Sequence, residues 1–223
     1  ATNLAFHVMV SVLLLLALLR LTGDLWRSAF VAFCFALHPL HVQSVAWIAE
    51  RKDVLSGVFW MATLLAWARY VAGPGVRRYL AVFALLLLGL LCKATAVTLP
   101  FVLLLLDLWP CDRLRGPAGE SLLLRRVAEK VPLLALSVAF SAITLWAQAS
   151  GGAVVATYFP WATRVANAVL AYVGYLEKAV WPSGLMFFYR HPEPSLGDAS
   201  VVAGALLIGA VSAAAAVLAW RRC

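Results

Sequence analysis

Charge is scarce in this chain. Lys, Arg, Asp and Glu make up 13% of its 223 residues, against about 25% in a soluble globular domain. That excludes an ordinary water-facing surface. Acid is the scarcest component, with 10 carboxylates against 18 cations and a net charge of +8. The cations are scattered through short loops rather than gathered in a patch. Loop topology demands that pattern, and a nucleic-acid surface is rejected. Strict apolar/polar alternation is missing as well. The apolar runs are continuous, as in Val12–Leu19, Leu80–Leu91 and Phe101–Leu106, which excludes a transmembrane β-barrel. The four cysteines, Cys34, Cys92, Cys111 and Cys223, show no metal-ligand spacing, and two lie inside apolar runs. They read as packing residues rather than a disulfide framework. There is neither an initiator Met nor a signal peptide with a basic start. Ala1 stands a residue or two from the first apolar run, and we expect further sequence upstream of it.

What is abundant is apolar sequence, 64% of the chain. Runs approaching 20 residues recur, the length of helix that crosses about 30 Å of hydrocarbon. The expected fold is all-α, a polytopic integral membrane helical bundle forming a single transmembrane domain over residues 1–223. About seven spans are expected, at Leu4–Leu19, Ser28–Ile48, Val54–Val71, Tyr79–Cys92, Ala94–Trp109, Val131–Ala149 and Ser200–Trp220. Pro39 interrupts the second, since proline ends a helix and favours the first position of a new one. A membrane helix ending near His38 is expected, then a second helix from Pro39 along the interface through Glu50–Asp53. Residues 163–181 contain Arg164, Asn167, Glu177 and Lys178 and are expected to form an outward amphipathic or re-entrant helix, with a full span as the alternative. Twelve of the 18 basic residues fall on one set of loops. By the positive-inside rule that set is cytoplasmic and the His38–Asp53 segment faces outward.

That segment is the leading candidate for chemistry. His38, His41, Glu50, Arg51, Lys52 and Asp53 crowd ionisable groups between two apolar stretches. Each charge at a helix centre costs about 2.5–3.5 kcal/mol on insertion scales, so such groups belong at an interface or around a wet cavity. His38 and His41 are three apart and reach one cavity. Glu50 and Asp53 are also three apart and share a helix face. Carboxylates suit proton abstraction or a divalent cation, imidazoles suit proton transfer, and cations suit a phosphate. The bland alternative is a solvated turn whose charges pair among themselves. Lys93 stands alone at the outward end of a span, either a snorkelling lysine or a phosphate ligand. Asp107, beside Trp109, is expected to cap or to pair with Arg113. The stretch Trp181–Pro192 mixes aromatics with Arg190 and His191, as an interfacial belt or a sugar-binding loop would.

The string from His38 to Ser56, HPLHVQSVAWIAERKDVLS, resembles the membrane half of the transmembrane-and-tetratricopeptide-repeat proteins, bacterial relatives included. Leu91-Cys92-Lys93 and Leu99-Pro100-Phe101 through Asp107 are similar to that family's lysine-bearing span. Ala166-Asn167 through Tyr175, Trp181-Pro182 and Phe188–Pro192 are similar to its later outer segment. The resemblance implies a multi-span GT-C-type glycosyltransferase, the animal members being O-mannosyltransferases of the endoplasmic reticulum. It implies a polyprenyl-phosphate sugar as donor and a protein or glycan as acceptor. The other partner is the lipid bilayer, and no nucleic acid is expected. On this resemblance Arg51, Lys93 and Arg190 hold the donor phosphate. His38, His41, Glu50 and Asp53 carry the catalytic roles or bind a divalent cation. Trp47, Tyr175, Lys178, Tyr189 and His191 line the substrate. A bacterial inner membrane with the site facing the periplasm is the expected location. Three departures stand. The usual acidic outer loop is expected upstream of Ala1, no tetratricopeptide pattern follows the last span, and Lys93 precedes Ala94 where Glu or Pro is expected. The scaffold for the donor without the usual base is therefore one expectation. A transporter or flippase of a lipid-linked sugar and a non-catalytic membrane scaffold stay open as alternatives.

Overall fold

The computed structural model describes residues 1–114, 116, 121–151, 160–186 and 193–222. Among them the regular structure is helical and there is no strand. Two compact units divide the chain, residues 1–153 and 154–223.

In the first unit, α1 (Thr2–Thr22) ends where Gly23 turns left-handed at φ 72° and its N–H caps the Leu19 carbonyl, a conformation glycine adopts without steric cost. Asp24 then opens α2 (Leu25–Leu37) by accepting the Arg27 N–H at 3.0 Å. α2 stops because the residue before a proline is pushed out of the helical region, and His38 is extended. A 3-10 turn, Pro39–His41, leads into α3 (Val42–Ala46), bent by 49° from α2. The expected helix from Pro39 through Asp53 is corrected here. It begins at Pro39 but breaks at extended Trp47, after which a 3-10 turn, Ile48–Glu50, starts α4 (Arg51–Ala72). Glu50 is thus the residue capping α4 and Asp53 lies in its first turn. α5 (Val76–Cys92) ends at extended Lys93 and is joined by a 3-10 turn, Ala94–Thr98, to α6 (Leu99–Leu108). α7 (Leu123–Ser150) carries Pro132 in its interior.

α4 is the central element, packed most extensively on α5 and α1, with α1 also against α2. Trp67, Val82, Leu86, Leu90, Leu99, Leu103 and Leu133 close a core between α4, α5, α6 and α7. Large apolar side chains also cover the outside, among them Trp26, Phe30, Leu124 and Trp146. Such a surface is costly in water and natural in hydrocarbon. α1, Ile48–Ala72, α7 and Ala199–Leu218 are long and apolar enough to cross a membrane, and the bent pair α2 with Pro39–Ala46 makes a fifth. α5 has 17 residues and α6 has 10, shorter than those. The chain is a multi-pass helical membrane protein. Cys34, Cys92 and Cys111 are free thiols, and burial pushes the Cys111 thiol up from its ordinary pKa.

The second unit contains α8 (Trp161–Val180) and α9 (Ala199–Arg222). They pack where a Cβ on Gly204 would stand 3.1 Å from Val169 and 3.2 Å from Val173. Asp198 holds the start of α9 by accepting the Ser195 N–H at 3.0 Å and its hydroxyl at 2.7 Å. Those bonds lower its carboxyl pKa below the ordinary value. α8 is not among the helices apolar enough to cross.

Candidate functional site

The break at Pro39 exposes backbone that the rest of the unit must satisfy. α1 does this from one stripe, Asn3, His7, Val10, Leu14 and Ala17, at helical spacing. The Asn3 amide donates to the carbonyls of Ser44 (3.3 Å) and Trp47 (2.7 Å), at the end of α3. His7 Nε2 donates to the Ala36 carbonyl at 3.0 Å, at the end of α2. A carbonyl only accepts, so that nitrogen carries the proton. Around His7 the aromatic rings converge. Its centroid is 5.7 Å from Phe35 and 5.3 Å from His41; Phe35 and His41 are 4.3 Å apart, His38 and His41 6.2 Å. His38 Nδ1 accepts the Leu40 N–H at 3.3 Å, which places any proton of the neutral ring on Nε2. Among the described residues no group of three or more His, Cys, Asp or Glu side chains is placed to hold a metal ion.

Phe35 connects this histidine group to a cleft of about 260 Å³, lined by Val10 of α1, Phe35 of α2, Asp53, Ser56, Gly57, Trp60 and Met61 of α4, and Lys93 and Thr95 beyond α5. Lys93 Nζ lies 2.6 Å from Asp53 Oδ2, each side chain partly exposed. The pairing follows from antiparallel packing. A carboxylate in the first turn of α4 meets a cation at the end of α5, each at the helix terminus that favours its charge. Lys93 is therefore not the isolated cation expected from sequence. The other oxygen, Asp53 Oδ1, is buried and has no hydrogen-bond partner among the described residues. An unsatisfied buried acceptor costs about 1–3 kcal/mol and marks a place where a donor is missing.

The opposite end of α4 shows what satisfied carboxylates look like. Asp107, fully buried, accepts from Arg113 Nη1 at 2.8 Å and from Lys130 Nζ. Glu129 accepts from the Tyr70 hydroxyl, from Arg113 Nη2 at 3.2 Å and from Lys130 Nζ at 3.1 Å. The Tyr79 hydroxyl donates to the Glu129 backbone carbonyl at 2.7 Å. Lys130 Nζ lies 4.1 Å from the Trp67 ring centroid and Arg113 5.4 Å. Burial pulls the Arg113 guanidinium down, but its bonds to Asp107 and Glu129 outweigh this and leave its pKa raised. Every carboxylate oxygen in this group has a donor, so it clamps α4, α5, α6 and α7 rather than offering a vacant acceptor. The expected Asp107–Arg113 pair is present. Lys130, counted from sequence among loop cations, is instead a buried part of α7.

The structure brings Asp53 and Lys93 together on the cleft wall, while His38 and His41 group with His7 behind Phe35 and do not line the cleft. Trp47 contributes its carbonyl to Asn3. Arg51 is exposed at the first position of α4 and is not among the residues lining the cleft. Tyr175 and Lys178 belong to the second unit; Tyr175 is exposed, and Lys178 Nζ donates to the Ser183 carbonyl at 2.7 Å. Tyr189, Arg190 and His191 lie outside the described residues. Sequence reasoning missed Asn3 and His7. Their signal was available, as polar residues spaced four apart on an otherwise apolar helix. It also missed Glu129, Tyr70 and Tyr79, whose roles depend on partners far along the chain.

No protein-family profile matches the chain, and no solved structure matches it. Among curated proteins it is similar to Protein O-mannosyl-transferase Tmtc2 of Drosophila melanogaster, 31% identical over 124 residues, covering 53% of this chain and 13% of that protein. Protein O-mannosyl-transferase TMTC3 of Mus musculus is 37% identical over 67 residues, 30% of this chain and 7% of that protein. Protein O-mannosyl-transferase Tmtc3 of Drosophila melanogaster is 31% identical over 101 residues, 42% and 11%. The chain spans 7–13% of the length of these relatives. Over part of its length the chain is similar to protein O-mannosyl-transferases.

Proposed function

We propose that this chain forms part of a membrane glycosyltransferase that moves a sugar from a polyprenyl-phosphate donor to a protein or glycan acceptor on the outer face of the membrane. In a bacterial inner membrane that face is the periplasmic one. One observation carries the reading: Asp53 and Lys93 pair on the wall of a cleft with apolar and aromatic sides, and one Asp53 oxygen has no partner among the described residues. The likeness to protein O-mannosyl-transferases supports the reaction class and makes mannose the first sugar to test.

In this reading an acceptor hydroxyl attacks the anomeric carbon of the donor. The new C–O bond forms as the bond from that carbon to the phosphate oxygen breaks, and polyprenyl phosphate leaves with the electron pair. Asp53 Oδ1 takes the hydroxyl proton. Lys93 keeps N–H groups beyond the one aimed at Asp53 and meets the charge growing on the leaving phosphate. Arg51, exposed at the head of α4 two residues before Asp53, offers a planar fork for the phosphate oxygens. Phe35, Trp60 and Met61 receive the apolar part of the donor.

The test is transfer from radiolabelled polyprenyl-phosphate mannose to an acceptor by membranes carrying the full-length protein. Asp53→Asn and Lys93→Gln are each expected to lower turnover about 10²–10⁴-fold, the usual range for an acid–base group. Unchanged transfer in both variants removes the cleft from the reaction. Movement of labelled lipid across the membrane without transfer favours a flippase instead.

A further inference from the structure

The turn between α4 and α5 concentrates cations that no carboxylate among the described residues neutralises. Arg69 lies in the last turn of α4, and Arg77 and Arg78 in the first turn of α5. All three are exposed, and no ion pair joins any of them to a carboxylate among the described residues. None is available nearby in sequence, because no Asp or Glu occurs between Asp53 and Asp107. The contrast with Arg27, Lys93, Arg113, Arg126 and Lys130 is plain, since each of those has a carboxylate within 4.0 Å. The arrangement is also shaped. Arg78 Nη1 donates to the carbonyls of Gly73 (2.5 Å) and Arg69 (3.2 Å), folding its guanidinium over the end of α4. The result is an open hollow of about 500 Å³ lined by residues 73–78, with Arg77 and Arg78 on its wall.

Its depth in the membrane follows from α4. Ile48–Ala72 is long and apolar enough to cross, so a turn directly after Ala72 lies at the level of the lipid headgroups. Val76 and Leu80 are exposed beside the arginines and offer apolar surface to acyl chains. We propose that this turn is a binding site for the phosphate headgroup of an anionic phospholipid, held by Arg69, Arg77 and the free side of Arg78. Three guanidiniums at the interface without acid give a phosphate bidentate partners. Each basic residue near an anionic surface adds enough attraction for about a fivefold change in affinity. The site is independent of the sugar-transfer cleft, which lies at the other end of α4.

The experiment uses the purified full-length protein in detergent, delipidated and titrated with vesicles of phosphatidylcholine alone or of equal parts phosphatidylcholine and phosphatidylglycerol. Retained lipid is read by native mass spectrometry. Preferential retention of phosphatidylglycerol is expected. Arg69→Gln with Arg77→Gln should weaken it roughly 25-fold, the product of two fivefold steps. The corresponding pair of Lys substitutions keeps the charge but loses the planar fork, and should recover only part of the loss. Lys52→Gln, at the far end of the same helix, should leave retention as in wild type. Arg78 is left in place because it also holds the turn. Equal retention of phosphatidylcholine, an unaltered affinity in the double Gln variant, or an equal loss with Lys52→Gln would each overturn the proposal. Displacement of the lipid by glycerol 3-phosphate at matched concentration would also overturn it, showing a site for a free phosphate rather than a lipid.

Discussion

Two carboxylates in this unit behave oppositely because of what surrounds their second oxygen. Asp53 gives one oxygen to Lys93, and its other has no donor among the described residues. Asp107 has a cation on both. The first pair is partly exposed, and pairs of that kind contribute about 0–1 kcal/mol. Asp53→Asn should therefore leave thermal unfolding of the purified protein nearly unchanged while transfer falls. A large fall in unfolding temperature would mean that Asp53 is scaffold. The second group is buried, where removing one partner strands the other charge at a cost of about 3–5 kcal/mol. Lys130→Met should destabilise by that amount, and Asp107→Asn added to it should recover part of the loss. An unfolding temperature that Lys130→Met does not move would contradict the clamp.

At the level of elements, the short helix α3 is held by side chains of α1 rather than by its own length. Five residues are too few to be stable alone. Asn3 supplies donors to its end, and His7 supplies one to the end of α2. A net hydrogen bond contributes about 1 kcal/mol, equivalent to a fivefold shift in an opening equilibrium. Asn3→Leu should speed amide hydrogen exchange over residues 42–47 about fivefold, and His7→Phe should do the same near residues 36–41. Exchange at wild-type rates in both variants would show that the α2–α3 bend is held by packing alone. The bend itself was readable beforehand, because Pro39 removes a donor and disfavours helix at His38. The second break, at Trp47, had no such marker. It is sustained by a donor that reaches the Trp47 carbonyl from the start of the chain.

For the whole molecule, the positive-inside rule predicts an orientation with Lys52 outside and the α4–α5 turn inside. Lys52→Cys in a cysteine-free background should react with an impermeant thiol reagent in intact cells. Reaction only after the membrane is opened would reverse the topology. Reporters fused after Ser150 and after Pro194 should lie on the same side if α8 rests on the surface. Opposite sides would make α8 a span with its polar face buried. Hydropathy separates these cases poorly, because a helix carrying Arg164, Glu177 and Lys178 is equally suited to an interface and to a wet bundle interior.

The amino-acid order alone determined the class of protein, most helix positions and the break after Leu37, and it singled out His38, His41, Asp53 and Lys93 as candidates. Each of these rests on local physics. A run of apolar residues needs helix to satisfy its backbone in lipid, proline interrupts that helix, and a charge is conspicuous where almost none occurs. What only the tertiary structure decided is partnership. Asp53 and Lys93 stand at opposite ends of two helices and meet because α4 and α5 pack antiparallel. Lys130 leaves the loops for the interior because Asp107 of α6 and the Trp67 ring of α4 are assembled around it beside its neighbour Glu129. Hydropathy averages over a window of residues, whereas an ion pair depends on a few ångströms between segments that the window never contains. The helices could be placed from sequence for that reason, and the paired or unpaired state of each charge could not.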